Sequence, residues 1–199
     1  MSVHLVKHQP GTIGVLDLQG GVHEHLEHLE RLGLPYKRVK QASDFADLAG
    51  LIIPGGESTT MGKLLNEWNM LEPLRQRILD GMPVYGSCAG LILLCREIEN
   101  SDQPRLGVLD ATVRRNAFGR QVDSFETDLN IPEIGGDPIP AVFIRAPVLT
   151  GVGAGVTVLA EVNGQAVAVR QNNILATSFH PELTPDTRMH SYFLSFCSK

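Results

Sequence analysis

Apolar positions alternate along the chain between a strand-like and a helix-like spacing. Thr12 to Leu18 is an apolar run closing at Gln19-Gly20-Gly21, and Leu26, Leu29 and Leu32 follow at helical spacing before Gly33. That order predicts strand, turn, helix and helix stop. Pro35 to Val39 and Leu51-Ile52-Ile53 predict two further strands, the second ended by Pro54-Gly55-Gly56. Helical patterns follow from Thr59 through Leu64, Leu65 and Trp68, and again from Leu71 to Leu79, before Pro83-Val84-Tyr85 enters Gly86 as a fourth strand. Repeated βα units of this kind predict a parallel sheet with helices on both faces.

The second half has a different texture. Runs at Ala111 to Arg114, Ala141 to Ile144, Val156 to Val162, Gln165 to Arg170 and Ile174 to Phe179 are separated by Gly, Pro and Asn. They predict a mixed or antiparallel extension of the same sheet, closed by a helix over Asp186 to Phe196. The stretch from Asn116 to Pro140 has weak periodicity and several turn formers, the signature of a functional loop.

At 199 residues the chain suits one domain, expected over 12–199 behind an N-terminal extension at 1–11. A domain of that size buries on the order of 70% of its unfolded surface without metals or disulfides. The net charge of -5, with basic residues scattered along the chain, argues against a nucleic-acid partner. Apolar runs such as Leu91 to Leu94 fall far short of the roughly 20 residues that span a bilayer. Met1 to Gly11 lacks the apolar core of a secretory signal, so a reducing, cytoplasmic setting is expected. The three cysteines, Cys88, Cys95 and Cys197, match neither a disulfide framework nor a zinc site.

Candidate chemistry concentrates in two places. Gly86-Ser87-Cys88-Ala89-Gly90 has the form of a nucleophile elbow with sulfur in place of oxygen, placed after a strand and opening a helix. The helix start favours a thiolate at Cys88 and leaves the Ala89 amide free to donate to an oxyanion. His180-Pro181-Glu182 follows the Ile174 strand, where an α/β sheet gathers residues at its carboxyl edge. On an extended backbone, His180 and Glu182 point to one face, so the carboxylate can fix the imidazole tautomer while His180 takes the thiol proton.

Other features carry less. Pro54-Gly55-Gly56-Glu57-Ser58 can supply a second oxyanion donor ahead of a helix capped by Ser58, but it departs from a phosphate loop in spacing and in having Leu64 after Lys63. Gln19-Gly20-Gly21 lacks the third glycine of a dinucleotide fingerprint. His23, His25 and His28 alternate with Glu24, Glu27 and Glu30 as a solvated helix face does, so no metal is expected. Cys95 reads as core one heptad after Cys88, Cys197 has no assigned role, and Arg114 or Arg115 can grip a substrate carboxylate.

Taken together these motifs resemble the class I (triad) glutamine amidotransferases, a fold of three layers with a mostly parallel, flavodoxin-like sheet. Within them the chain is most similar to the glutaminase subunits of pyridoxal 5'-phosphate synthases. The resemblance rests on the elbow, on Phe179-His180-Pro181-Glu182-Leu183, on Leu51 to Thr60, on Arg115 to Glu126 and on Phe143 to Pro147, and with Gly14 to Gly21 it spans roughly residues 12–196. It implies hydrolysis of L-glutamine to glutamate and ammonia, with no cofactor, and delivery of ammonia to a synthase subunit. It assigns Cys88 as nucleophile, His180 as proton shuttle and Glu182 as its orienter. Gly56 and Ala89 become oxyanion donors, and Gly56, Glu57, Ser58, Arg115, Ile144 and Arg145 hold glutamine. It also implies low activity until the synthase docks, for which a peptide flip at Gly55-Gly56 is a sterically cheap switch. The elbow and His-Pro-Glu are shared by glutaminases of other amidotransferases, such as the imidazole glycerol phosphate synthase type, and by γ-glutamyl hydrolases. A non-catalytic binding module of the same fold is the remaining alternative.

Overall fold

The computed structural model describes residues 11–115 and 124–197. Its first half runs β1 (Ile13–Leu16), α1 (Val22–Arg31), β2 (Tyr36–Val39), β3 (Gly50–Ile53), α2 (Ser58–Glu67), α3 (Leu71–Leu79), β4 (Val84–Ser87) and α4 (Ala89–Leu94). Its second half runs β5 (Cys95–Ile98), β6 (Leu109–Arg114), β7 (Ser124–Leu129), β8 (Ile139–Ile144), β9 (Val148–Val152), β10 (Thr157–Val162), β11 (Gln165–Gln171), β12 (Ile174–Thr177) and α5 (Arg188–Leu194). Seven strands form the central sheet in the order β10-β11-β12-β4-β3-β1-β2. The pairs from β2 across to β12 are parallel, and β11 and β10 add an antiparallel edge.

Strands β1, β3, β4 and β12 are buried along their whole length, as expected of parallel strands covered on both faces. Their residues alternate between two cores. Leu51 and Ile53 join Met61, Leu65, Leu74 and Leu91 of α2, α3 and α4. Ile52 and Tyr85 join Leu26 and Leu29 of α1, Phe193 of α5 and Phe143 of β8 on the opposite face. The result is the expected α/β architecture of a mostly parallel sheet between helical layers.

Three expectations need correction. The second-half strands do not all extend the main sheet: β5, β6 and β9 form a separate three-stranded sheet, and β7 pairs with β8 in a two-stranded ribbon. The alternating burial of β6 and β8 fits any half-covered strand, so periodicity did not say which sheet each joins. Helix α4 ends at Leu94, and Cys95 opens β5 instead of continuing a helix, although its thiol is core as expected and burial pushes its pKa well up. On α1, His25 and His28 are buried and only His23 is a solvated histidine, paired with Glu27. With 3.6 residues per turn, 25 and 28 flank the Val22, Leu26 and Leu29 stripe and face inward with it. The expected N-terminal extension lies, apart from Gly11, outside the described residues, as do 116–123 of the expected functional loop.

Candidate active site at the carboxyl edge of the sheet

Cys88 follows β4 directly, and its backbone has φ 47° and ψ -99°, a left-handed conformation rare for a residue with a Cβ. The strain is held by packing. A Cβ on Gly86 would lie 2.6 Å from the Gly90 carbonyl carbon, and one on Gly90 would collide with the Ile53 carbonyl oxygen of β3. The glycines of the elbow therefore let strand, turn and helix close on one another. Gly90→Ala is expected to cost roughly 1–3 kcal/mol, because the obstruction is backbone inside the β3–β4 ladder. Chemical denaturation compared with wild type checks it.

His180 comes from the neighbouring strand. β12 pairs with β4 so that Thr177 lies opposite Ser87, and the Cys88 amide continues the ladder to the Thr177 carbonyl at 2.8 Å. The chain then rises three residues to His180, whose own amide donates to the Val142 carbonyl of β8 at 2.8 Å. Here the extended-backbone expectation is corrected. Pro181–Leu183 is a turn of 3-10 helix, with the Leu183 amide donating to the His180 carbonyl, and this turn swings the Glu182 carboxylate back under the imidazole. Glu182 Oε1 accepts from His180 Nδ1 at 2.8 Å.

Burial by itself would lower the pKa of His180. Hydrogen bonds to Cys88 and Glu182, together with their charges, outweigh it and raise the imidazole to about 10. At neutral pH the group is thus an imidazolium between a sulfur and a carboxylate. Burial likewise works against the charge on Glu182, but His25 and the hydrogen bond from His180 hold its carboxyl below the ordinary range.

Above Cys88 opens a cleft of about 350 Å³, lined by Gln19, Gly56, Glu57, Ser58, Cys88, Ile92, Arg115, Ile144, Arg145 and His180. That volume is at the lower end for small-molecule sites. Every substrate-binding candidate lies on it, whereas Glu182 sits behind His180 and Ala89 is the first residue of α4. The helix-cap expectation shifts by one residue: Glu57, not Ser58, caps α2, its carboxylate accepting from the amides of Thr59 at 3.0 Å and Thr60 at 2.8 Å. Burial opposes that charge, but the Thr60 hydroxyl and these amides bring the carboxyl down to about 2. Arg115 Nη1 donates to Thr59 Oγ1 at 2.9 Å and to Gln103 Oε1 at 3.1 Å, while Arg114 turns away to Glu99.

Two lining residues were not among the sequence candidates, Gln19 and Ile92. Gln19 Oε1 accepts from the Glu57 amide at 2.7 Å, and the Gly21 amide donates to the Gly55 carbonyl at 3.0 Å. The segment after β1, weak as a motif, is thus clasped to the glycine turn after β3. Its position at the carboxyl end of a strand beside the elbow was the available signal. Gly55 also lies against the imidazole, since a Cβ there would strike His180.

A family model described as the SNO glutamine amidotransferase family matches residues 15–199. The chain is 57% identical over 182 residues to a pyridoxal 5'-phosphate synthase subunit PdxT of Carboxydothermus hydrogenoformans, covering 92% of this chain and 95% of that protein. It is 50% identical over 191 residues to the subunit of the same name in a Streptococcus pneumoniae strain, covering 94% and 98%. A solved structure described as a glutamine amidotransferase has a TM-score of 0.90 at 50% identity, covering 94% of this chain and 99% of that one. A chain in the structure of PurLQS from Thermotoga maritima has a TM-score of 0.66 at 16% identity, covering 94% and 99%, and shares the fold.

Proposed function

The chain belongs to the SNO glutamine amidotransferase family, and on that premise we propose that it is the glutaminase subunit of a pyridoxal 5'-phosphate synthase, hydrolysing L-glutamine in the cytoplasm and passing ammonia to a synthase subunit. The observation that carries the reading is His180, hydrogen-bonded to Glu182 and lining the same open cleft as Cys88, with which it interacts electrostatically. Relatives at 50% and 57% identity bearing the name of that synthase's subunit support the partner and the pathway.

The chemistry follows from the charges. The Cys88 thiolate adds to the side-chain amide carbon of glutamine, and the new oxyanion is held by the amides of Gly56 and Ala89. The His180 imidazolium gives its proton to the nitrogen as the carbon–nitrogen bond breaks, leaving ammonia and a thioester. Neutral His180 then takes a proton from water, hydroxide adds to the thioester, and glutamate leaves with thiolate and imidazolium restored. Glu182 keeps the ring oriented through both halves. At the far end of the cleft a zwitterionic substrate meets complementary charge: Arg115 and Arg145 suit its carboxylate, Glu57 its ammonium, and Gly56, Ser58 and Ile144 complete the wall.

The Gly21–Gly55 hydrogen bond bears on activation. A trans peptide directs its carbonyl and the following amide to opposite sides, so this bond fixes which way the Gly56 amide points. Docking of the synthase would reorient that peptide at the expense of the clasp. The whole reading is tested by mixing the chain with a candidate synthase and glutamine labelled with nitrogen-15 in the side-chain amide. Label appearing in the cofactor, with glutamate released in proportion, is the expected result. Glutamine left intact with the synthase present would refute it.

A further inference from the structure

Behind the triad lies a buried polar chain that the proposed chemistry does not use. His25 from α1 and His190 from α5 are 0% exposed, as is Ser87, the residue before the nucleophile. His25 Nδ1 lies 2.9 Å from His190 Nε2. On its other side, His25 Nε2 lies 3.2 Å from Ser87 Oγ and 3.5 Å from Glu182 Oε1, and the Ser87 hydroxyl donates to the same carboxylate oxygen at 3.4 Å.

We propose that His25 is a positioning residue for the triad carboxylate, holding Glu182 Oε1 through Ser87 while His190 holds His25. The inference rests on the reading of Cys88, His180 and Glu182 as the triad. Hydrogen-bond direction supports it. Because Ser87 donates to Glu182, its oxygen accepts from His25 Nε2–H, and His25 Nδ1 is left to accept from His190 Nε2–H. Every donor in the chain points along it toward Glu182, and His180 donates to the same oxygen.

The groups facing His25 are Glu24 and His28 on its own helix, Glu182 and His180 after β12, His190 on α5 and the Tyr85 ring of β4. Burial, the dominant influence, holds both His25 and His190 below the ordinary histidine range. Glu182 pulls the other way on His25, and in the hydrogen-bond directions above His25 and His190 each present an N–H along the chain toward the carboxylate. A buried carboxylate needs such partners, and the Ser87 hydroxyl that donates to Glu182 is itself held by His25. His28 is an internal control: also buried, with its ring tilted against His190 at 4.2 Å between centroids, it donates to the Thr184 carbonyl at 2.9 Å and meets the Glu182 backbone, with no hydrogen bond to the Glu182 carboxylate or to Ser87.

The test uses the complex with its synthase and compares His25→Leu, His25→Gln, His25→Asn and His28→Gln in glutamine turnover, thermal midpoint and His180 ring titration by NMR. His25→Leu is expected to lower kcat about 10- to 100-fold with KM little changed, a typical effect of losing an outer orienting group. The His180 midpoint should fall from about 10, because the hydrogen bond and charge of Glu182 help to raise it. His25→Gln, whose side-chain nitrogen reaches the Nε2 position, should recover most of the turnover. His25→Asn, which reaches only the Nδ1 position, should not, and His28→Gln should stay near wild type. If His25→Leu does not fold, the Gln and Asn pair decides. Wild-type kcat and an unmoved His180 titration in the His25 variants would overturn the proposal, as would equal losses in His25→Gln, His25→Asn and His28→Gln tracking the thermal midpoint. A wild-type complex that leaves glutamine intact, while His180 titration still responds to His25, would overturn the glutaminase reading and leave the positioning role standing.

Discussion

Replacing Cys88 by alanine is expected to abolish glutamine-dependent cofactor formation by the complex while leaving formation from added ammonium salt intact. The Cys88 sulfur lines the cleft together with His180, and the elbow glycines fix its backbone in a strained left-handed conformation. Removing a nucleophile that acts as a unit with its base typically costs on the order of 10⁴- to 10⁶-fold in turnover. The alanine also relieves His180 of a partner that raises its pKa, so the ring in this variant should titrate well below 10. The two readouts separate lost chemistry from lost fold, since ammonia-driven synthesis reports that the complex still assembles. A variant that keeps glutaminase turnover would remove Cys88 from the mechanism.

Glu182→Gln carries the second large effect. The amide preserves shape but not charge, and it can present an N–H where the imidazole needs an acceptor, so a loss of up to about 10⁴-fold in kcat is expected with glutamine KM little altered. The pH dependence of stability gives an independent check. His180 is raised from 6.5 to about 10, so its pairing stabilises the fold fully below about 6.5 and is lost as pH rises through about 10. Glu182 is held below 4.5, so its contribution is present above that value and disappears as pH falls through its lower folded value. Denaturant midpoints of wild type and Glu182→Gln should therefore differ most between these limits and converge toward acid and strong alkali. A difference independent of pH would show that the pair is not charged as described.

The residues proposed to react were legible in the sequence as candidates because their signals are local. An elbow needs glycines two places either side of the nucleophile, and His180 and Glu182 are separated by one proline, so short motifs carry both. Of the cleft rim, the glycine turn and Arg115 were candidates from the residues themselves, while Ile144 and Arg145 came through family resemblance, since nothing in the spacing of Glu57, Arg115 and Ile144 says that three distant segments meet. The histidines of α1 were misjudged for a related reason. Charged neighbours at 24, 27 and 30 looked like a solvated face, but the partners that make burial tolerable are 62 and 165 residues away for His25, and 156 for His28. No local pattern encodes them. The small sheets were missed because alternation specifies a half-covered strand and not its neighbour. Glu57 displaced Ser58 as the cap because its carboxylate serves two amides at once.

The pairing of β4 with β12 has an evolutionary corollary. The proposed nucleophile and base follow adjacent parallel strands, whose spacing of about 4.8 Å is dictated by main-chain geometry and not by side-chain identity. The cleft wall proposed to recognise substrate comes from appendages: the residue after β6, the tip of β8 and the turn that starts α2. These segments can lengthen, drift or be remodelled for a new acceptor enzyme without altering the distance over which a proton must hop, which gives the scaffold a constant engine beneath an exchangeable rim.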